Sequence, residues 1–177
     1  MRRLQRDQIS TATPETATLK QAQDLCINSG VVLTIIRPVP KTALSGATRW
    51  LTPRKALIQL SARHMTDDHL WFSFFHEAAH ILLHSKRDVF VHETKGKLTK
   101  ADIEANQWAA DFLIPPDDWE EFTMTSHFSQ RNVIRFAENQ GISPGIVVGR
   151  LQYENHLPWS HLNYLKERLT WADDSTD

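Results

Sequence analysis

With 177 residues, 41% of them hydrophobic and 23% charged, the chain suits one globular domain that buries roughly 70% of its unfolded surface. A net charge of −1, histidines neutral, gives no general attraction to phosphate backbones, so direct nucleic-acid binding is not expected. A lone cysteine, Cys26, excludes an internal disulfide, no run is long or apolar enough to be a signal peptide or to span a bilayer, and a cytoplasmic protein with no membrane partner is expected.

Residues 1–13 are polar and read as a flexible N-terminus; 171–177 read as a loose acidic tail, which leaves 14–170 for the domain. Pro14 opens a helix running to Ser29, with Leu19, Ala22, Leu25 and Cys26 at helical spacing and Gly30 as its stop. Three strand-like runs follow at Val31–Arg37, Gly46–Leu51 and Lys55–Ser61, rich in β-branched and aromatic residues and punctuated by Pro38, Pro40 and Pro53. In the third, Ala56, Ile58 and Leu60 alternate with polar residues, as a half-buried strand should.

The period changes at Thr66-Asp67-Asp68, a helix-start signature, and a helix is expected to about His84 with Trp71, Phe74, Phe75, Ala78 and Leu82 as its core stripe. Ser85 to Lys100 reads as a loop with a brief strand at Val89–Val91. A second helix is expected from Asp102 to Leu113, ended by Pro115-Pro116, and further helices at Ser129–Asn139, Ser143–Tyr153 and Ser160–Thr170. A small antiparallel or mixed sheet ahead of the helices, not alternating with them, argues α+β over doubly wound α/β.

Within the Thr66–His84 helix stands His76-Glu77-Ala78-Ala79-His80, an H-E-x-x-H. Residues four apart share a helix face, so both imidazoles can point at one metal ion. Glu77 projects about a hundred degrees round the helix, beside the metal but off it, where it can act as general base. The bland reading is two histidines without a ligand role.

A catalytic zinc takes three protein ligands and keeps one position open. The third is expected from elsewhere, with a carboxylate as the usual companion. Glu104 is favoured, in the first turn of the second helix, whose Ala105, Ala109 and Ala110 allow close approach to the first. His84, His92, Glu93, Asp88 and Asp102 are also candidates for that position. An ordinary carboxylate near a helix N-terminus is the uneventful reading of Glu104.

The stretch Phe74 to His84, followed by Glu104-Ala105-Asn106-Gln107-Trp108-Ala109-Ala110 and Leu113-Ile114-Pro115, resembles the ImmA/IrrE family of zinc metallopeptidases. Gly46 to Trp50 and Ile58 to Ser61 resemble its early strands. The resemblance covers roughly residues 14 to 155. It implies a zincin-like helical domain under the sheet, Zn2+ held by His76, His80 and Glu104, and Glu77 as general base. It further implies a protein substrate of regulatory type, a repressor or antitoxin, cut in the cytoplasm. The segment Pro144 to Gln152 resembles the corresponding region of HigA-like antitoxin regulators. Nothing before residue 14 matches the DNA-binding domain such regulators carry, so promoter repression is not carried over.

Arg49, His127, Arg150, Tyr153 and His156 are open choices for a donor to the developing oxyanion; His84 reads as a structural residue capping its helix. Gly46–Leu51 is expected at the sheet edge, where an extended peptide could add. Ala137, Gly141 and Val147 match helix-turn-helix spacing, but the helix from Gly145 to Leu151 has almost nothing to read a base edge with, and a buried helix pair is expected. The rival function, of a different class, is a non-proteolytic antitoxin or regulator module whose zinc is structural and which acts by binding a protein.

Overall fold

The computed structural model describes residues 16–38, 44–61, 63–64, 66–93, 97–125 and 127–170, so the expected flexible start and acidic tail lie outside the described residues. The fold is α+β. Helix α1 (Thr16–Asn28) ends at Gly30, which takes a left-handed φ of 79°; a Cβ there would lie 2.7 Å from the Arg54 carbonyl oxygen. The chain can therefore turn straight into β1 (Val31–Ile36) beside the β2–β3 hairpin (Leu44–Thr52, Lys55–Ser61) only because that position has no side chain.

With β4 (Val89–Glu93) the strands form one mixed sheet in the order β1-β3-β2-β4. β1 runs parallel to β3, and β2 is antiparallel to both β3 and β4. This corrects the expectation that Gly46–Leu51 is an edge: β2 is bonded on both sides. Among the described residues the edges are β1 and β4, because the short Val89–Val91 run forms a full partner for β2.

Helix α2 (Asp67–Leu83) lays Leu70, Trp71, Phe74 and Phe75 into a core shared with Ile58 and Leu60 of the sheet. Helix α3 (Lys100–Leu113) packs against α2 through Ala105 and Ala109, both fully buried, so the two backbones come close. It starts before Asp102 because Thr99 caps it: the Thr99 hydroxyl accepts from the Asp102 amide, and the Asp102 carboxylate accepts from the Thr99 amide.

Helix α4 (Pro116–Met124) was not expected from the sequence, where Pro115-Pro116 reads only as a stop. Pro116 occupies the first helical position, where its missing N–H costs nothing, and Asp117 and Asp118 follow at the positive end. Helices α5 (Gln130–Gln140) and α6 (Pro144–Tyr153) are hinged at Gly141, φ 63°. Ile146, Val147, Val148 and Leu151 of α6 are buried in the common core, as a structural helix pair requires.

No full helix forms at Ser160–Thr170; only a 3-10 turn at Asn163–Leu165 does. The left-handed Leu162 interrupts the helix, and the buried Gln152 amide donates to the His161 carbonyl and to Asn163 Oδ1. The chain continues as a strap over the start of α2. Glu167 exchanges backbone and side-chain bonds with Asp67, Arg168 bridges to Thr66, and Lys166 lies 2.7 Å from Asp68. Among the described residues no helix is long and apolar enough to cross a membrane.

Candidate metal centre

The i, i+4 stripe Phe72, His76, His80, His84 runs along one side of α2. His76 and His80 are each 1% exposed, and their Nε2 atoms face each other 3.1 Å apart. Asp102, at the start of α3, brings Oδ1 to 3.9 Å and 3.6 Å from those nitrogens. Among the described residues these three form the one group of histidine, cysteine or carboxylate side chains with ligand atoms all within 4.8 Å.

The outer nitrogens decide which way the lone pairs point. His76 Nδ1 lies 2.8 Å from Asn106 Oδ1, an acceptor, so Nδ1 carries the proton and Nε2 presents its lone pair inward. His80 Nδ1 lies 2.9 Å from His84 Nδ1, and His84 Nε2 lies 3.2 Å from Glu104 Oε2. With the far nitrogen of His84 donating to a carboxylate, its near one accepts from His80, whose Nε2 also faces inward. The Phe90 ring, stacked 4.1 Å from that of His80, holds the plane. Two lone pairs and a carboxylate oxygen converging in a dry site repel one another unless positive charge lies among them. Two imidazoles and a carboxylate are also a donor set suited to zinc. The residues present fit a divalent cation.

Asp102 divides its oxygens between two tasks. Oδ2 accepts from the Thr99 amide at 2.8 Å and the Thr99 hydroxyl at 2.6 Å, leaving Oδ1 for the imidazoles. Burial alone would raise its pKa, but the hydrogen bonds from Thr99 hold it below the usual carboxylate value.

Glu104 lies elsewhere. Its side chain is 48% exposed and engages His84 at 3.2 Å and Lys100 at 3.7 Å. The reason is helical phase: Ala105 and Ala109 fix which face of α3 meets α2, and that face carries Asp102 and Asn106 while Glu104 projects from its flank. His84 is the C-cap residue of α2 and the link to His80, and Asp88 is exposed; the side chains of His92 and Glu93 lie outside the described ones.

Glu77 is 1% exposed and sits under β2. A Cβ on Gly46 would come within 2.4 Å of its Oε1, so glycine is what admits the carboxyl. Its Oε2 has no hydrogen-bond partner. Burial pushes the carboxyl up to about 8, with Thr48 pulling down and the Asp102 charge adding to the rise. A positive charge beside it favours the ionised form.

The open choices for an oxyanion donor are dispersed. Arg150 donates to the Ala110 and Ile114 carbonyls and pairs with Glu154 at 2.9 Å, tying α3 to α6. His156 pairs with Glu154, Tyr153 is largely exposed, and Arg49 and His127 are exposed. The roles of Gly46, Phe90 and Thr99 were not anticipated from the sequence. For Thr99 the signal was there, in a T-x-x-D spacing that marks a helix start.

Comparison with known proteins adds a family. Curated proteins yield no match. The family model described as Peptidase M78, IrrE N-terminal-like domain, matches residues 30–152, which takes in every side chain of the centre. The chain belongs to this Peptidase M78 family, the IrrE N-terminal-like domains, whose name points to metallopeptidase chemistry.

Proposed function

We propose that the chain is a zinc-dependent endopeptidase of the ImmA/IrrE type, with His76, His80 and Asp102 as metal ligands and Glu77 as general base. The observation that carries this is the convergence of two buried imidazole nitrogens and one carboxylate oxygen beside a buried carboxyl, that of Glu77, whose Oε2 has no hydrogen-bond partner. A cation held there supplies a Lewis acid that polarises a carbonyl and acidifies water.

The chain's own residues account for the rest. Asn106 and the His84–Glu104 pair fix the tautomers that present both Nε2 atoms. Glu77, aimed by the space over Gly46, accepts a proton from attacking water and returns it to the departing amine nitrogen. A purely structural site would not need that carboxyl. The outer edge of β4 carries no partner strand among the described residues. An extended peptide can add there, next to Phe90 and hence His80. That a repressor or antitoxin of the cytoplasm is the substrate rests on the ImmA/IrrE resemblance.

Zinc-loaded wild type and Glu77→Gln, incubated with candidate repressor and antitoxin proteins, test the reading by mass spectrometry of new termini. New termini with wild type alone are expected. Identical products from both, or specific binding without cleavage by either, would replace the peptidase with a binding module.

A further inference from the structure

A cavity of about 260 Å³ opens beside the metal centre, between the first turns of α2, the outer side of α3, and α6. Phe72, Leu98, Ile103, Leu113, Ile146 and Trp159 give it apolar walls. Its charged side chains are paired with opposite charges, Arg150 with Glu154 at 2.9 Å and Asp68 Oδ2 with Lys166 at 2.7 Å, while Asp68 Oδ1 accepts no hydrogen bond. A charged guest would have to compete with these ion pairs. The rim is apolar as well, with Ile103 57% and Trp159 58% exposed.

Position decides what the cavity accepts. Asn106 both lines it and holds His76, so the cavity begins one hydrogen bond from a metal ligand. Along the α2 stripe, Phe72 marks the cavity end and Phe90 of β4 stacks over His80 at the other. The converging donors lie between. From Phe72 to the point midway between His76 and His80 is roughly 9 Å at 1.5 Å per residue, the reach of two or three residues of extended chain. A chain that passes Phe90 and crosses the centre along this stripe leads into the cavity.

We propose that this cavity is a specificity subsite that takes one large apolar side chain of the peptide substrate, two or three residues from the bond cleaved. The proposal rests on the peptidase reading for its occupant but is tested by binding alone. The probes are N-acetylated hexapeptides with Leu, Phe, Ala, Lys or Glu at one position, titrated calorimetrically into zinc-loaded Glu77→Gln protein. Burial of a full Leu or Phe side chain predicts binding roughly 10- to 100-fold tighter than for Ala, with Lys and Glu no better than Ala.

Two variants carry the same test. Ala110→Phe fills the cavity while leaving the carbonyl that serves Arg150, and Ile103→Glu charges an exposed rim position. Both are expected to erase the preference with zinc content unchanged. Equal binding of the Leu and Ala peptides, or a preference that survives both variants, overturns the subsite. So does a concentration-dependent dimer that either variant dissolves, which would seat a second copy there. An apolar preference in peptides that wild type never cleaves upholds the subsite while the peptidase reading fails.

Discussion

Asp102→Asn and Glu104→Gln separate two carboxylates that lie two residues apart on one helix. Asp102 Oδ1 stands 3.6 and 3.9 Å from the inward nitrogens, whereas Glu104 reaches the centre only through His84 and then His80. Loss of an outer partner to a ligating histidine costs roughly 10- to 100-fold in metal affinity. Glu104, one group further out, belongs at the lower end, about 10-fold. Loss of a ligand should exceed about 100-fold, or about 2.7 kcal/mol. At free zinc about 100 times the wild-type dissociation constant, bound metal stabilises the fold by about 2.7 kcal/mol, against about 1.4 for Glu104→Gln and at most about 0.4 for Asp102→Asn. For a chain of this size, zinc should raise the melting temperature by about 5–11 °C in wild type, about 3–6 °C in Glu104→Gln and no more than about 2 °C in Asp102→Asn. Scanning calorimetry in a zinc buffer, with metal content measured after dialysis, reads all three. Retained zinc in Asp102→Asn with its loss in Glu104→Gln would refute the ligand set and return the third position to Glu104.

Two further substitutions probe the supports. Gly46→Ala places a methyl group where Glu77 Oε1 now lies, 2.4 Å away, so the carboxyl must shift; peptide cleavage should fall on the order of 100-fold at unchanged zinc content, and an undiminished rate would remove Glu77 from the chemistry. Lys166→Met strands Asp68, whose side chain is 7% exposed, as a buried unpaired charge. Urea denaturation should show a loss of about 3–5 kcal/mol, largely restored by adding Asp68→Asn, and additive losses in the double variant would mean the pair contributes nothing jointly.

What could be read in advance follows from how local each signal is. The helix carrying His76 and His80 announces itself within eleven residues, because apolar Phe74, Phe75, Ile81 and Leu82 surround two imidazoles at i, i+4. The strands at Val31, Gly46 and Lys55 are similarly local, whereas their order in the sheet is not. Gly46–Leu51 looks like an edge until the five residues of β4, alone in a polar stretch, pair with it. Pro115-Pro116 misleads for a related reason. Proline ends one helix and begins the next equally well, and only the two aspartates after it favour the second outcome. The strap at 160–170 has helical composition, yet a single buried amide, that of Gln152, diverts its backbone.

Which carboxylate stands beside His76 and His80 turns on the phase of α3, and that phase is set at the helix start. A helix begun at Asp102 would leave Glu104 and Asp102 on equal footing near the N-terminus. A helix begun at Thr99 makes Asp102 its third residue, and the capping bond rotates that side chain back toward the cap, along the face that Ala105 and Ala109 press against α2. One carboxylate then closes the capping box with Oδ2 and meets the imidazoles with Oδ1. The stop-and-start grammar of the helix and the metal chemistry are the same constraint, which is why a capping residue on an exposed loop, Thr99, bears on the centre as directly as the half-buried Asn106. A search for the third ligand that begins at the cap of the partner helix, and only then ranks carboxylates by the face they share with its small residues, arrives from sequence alone at Asp102, the ligand we propose.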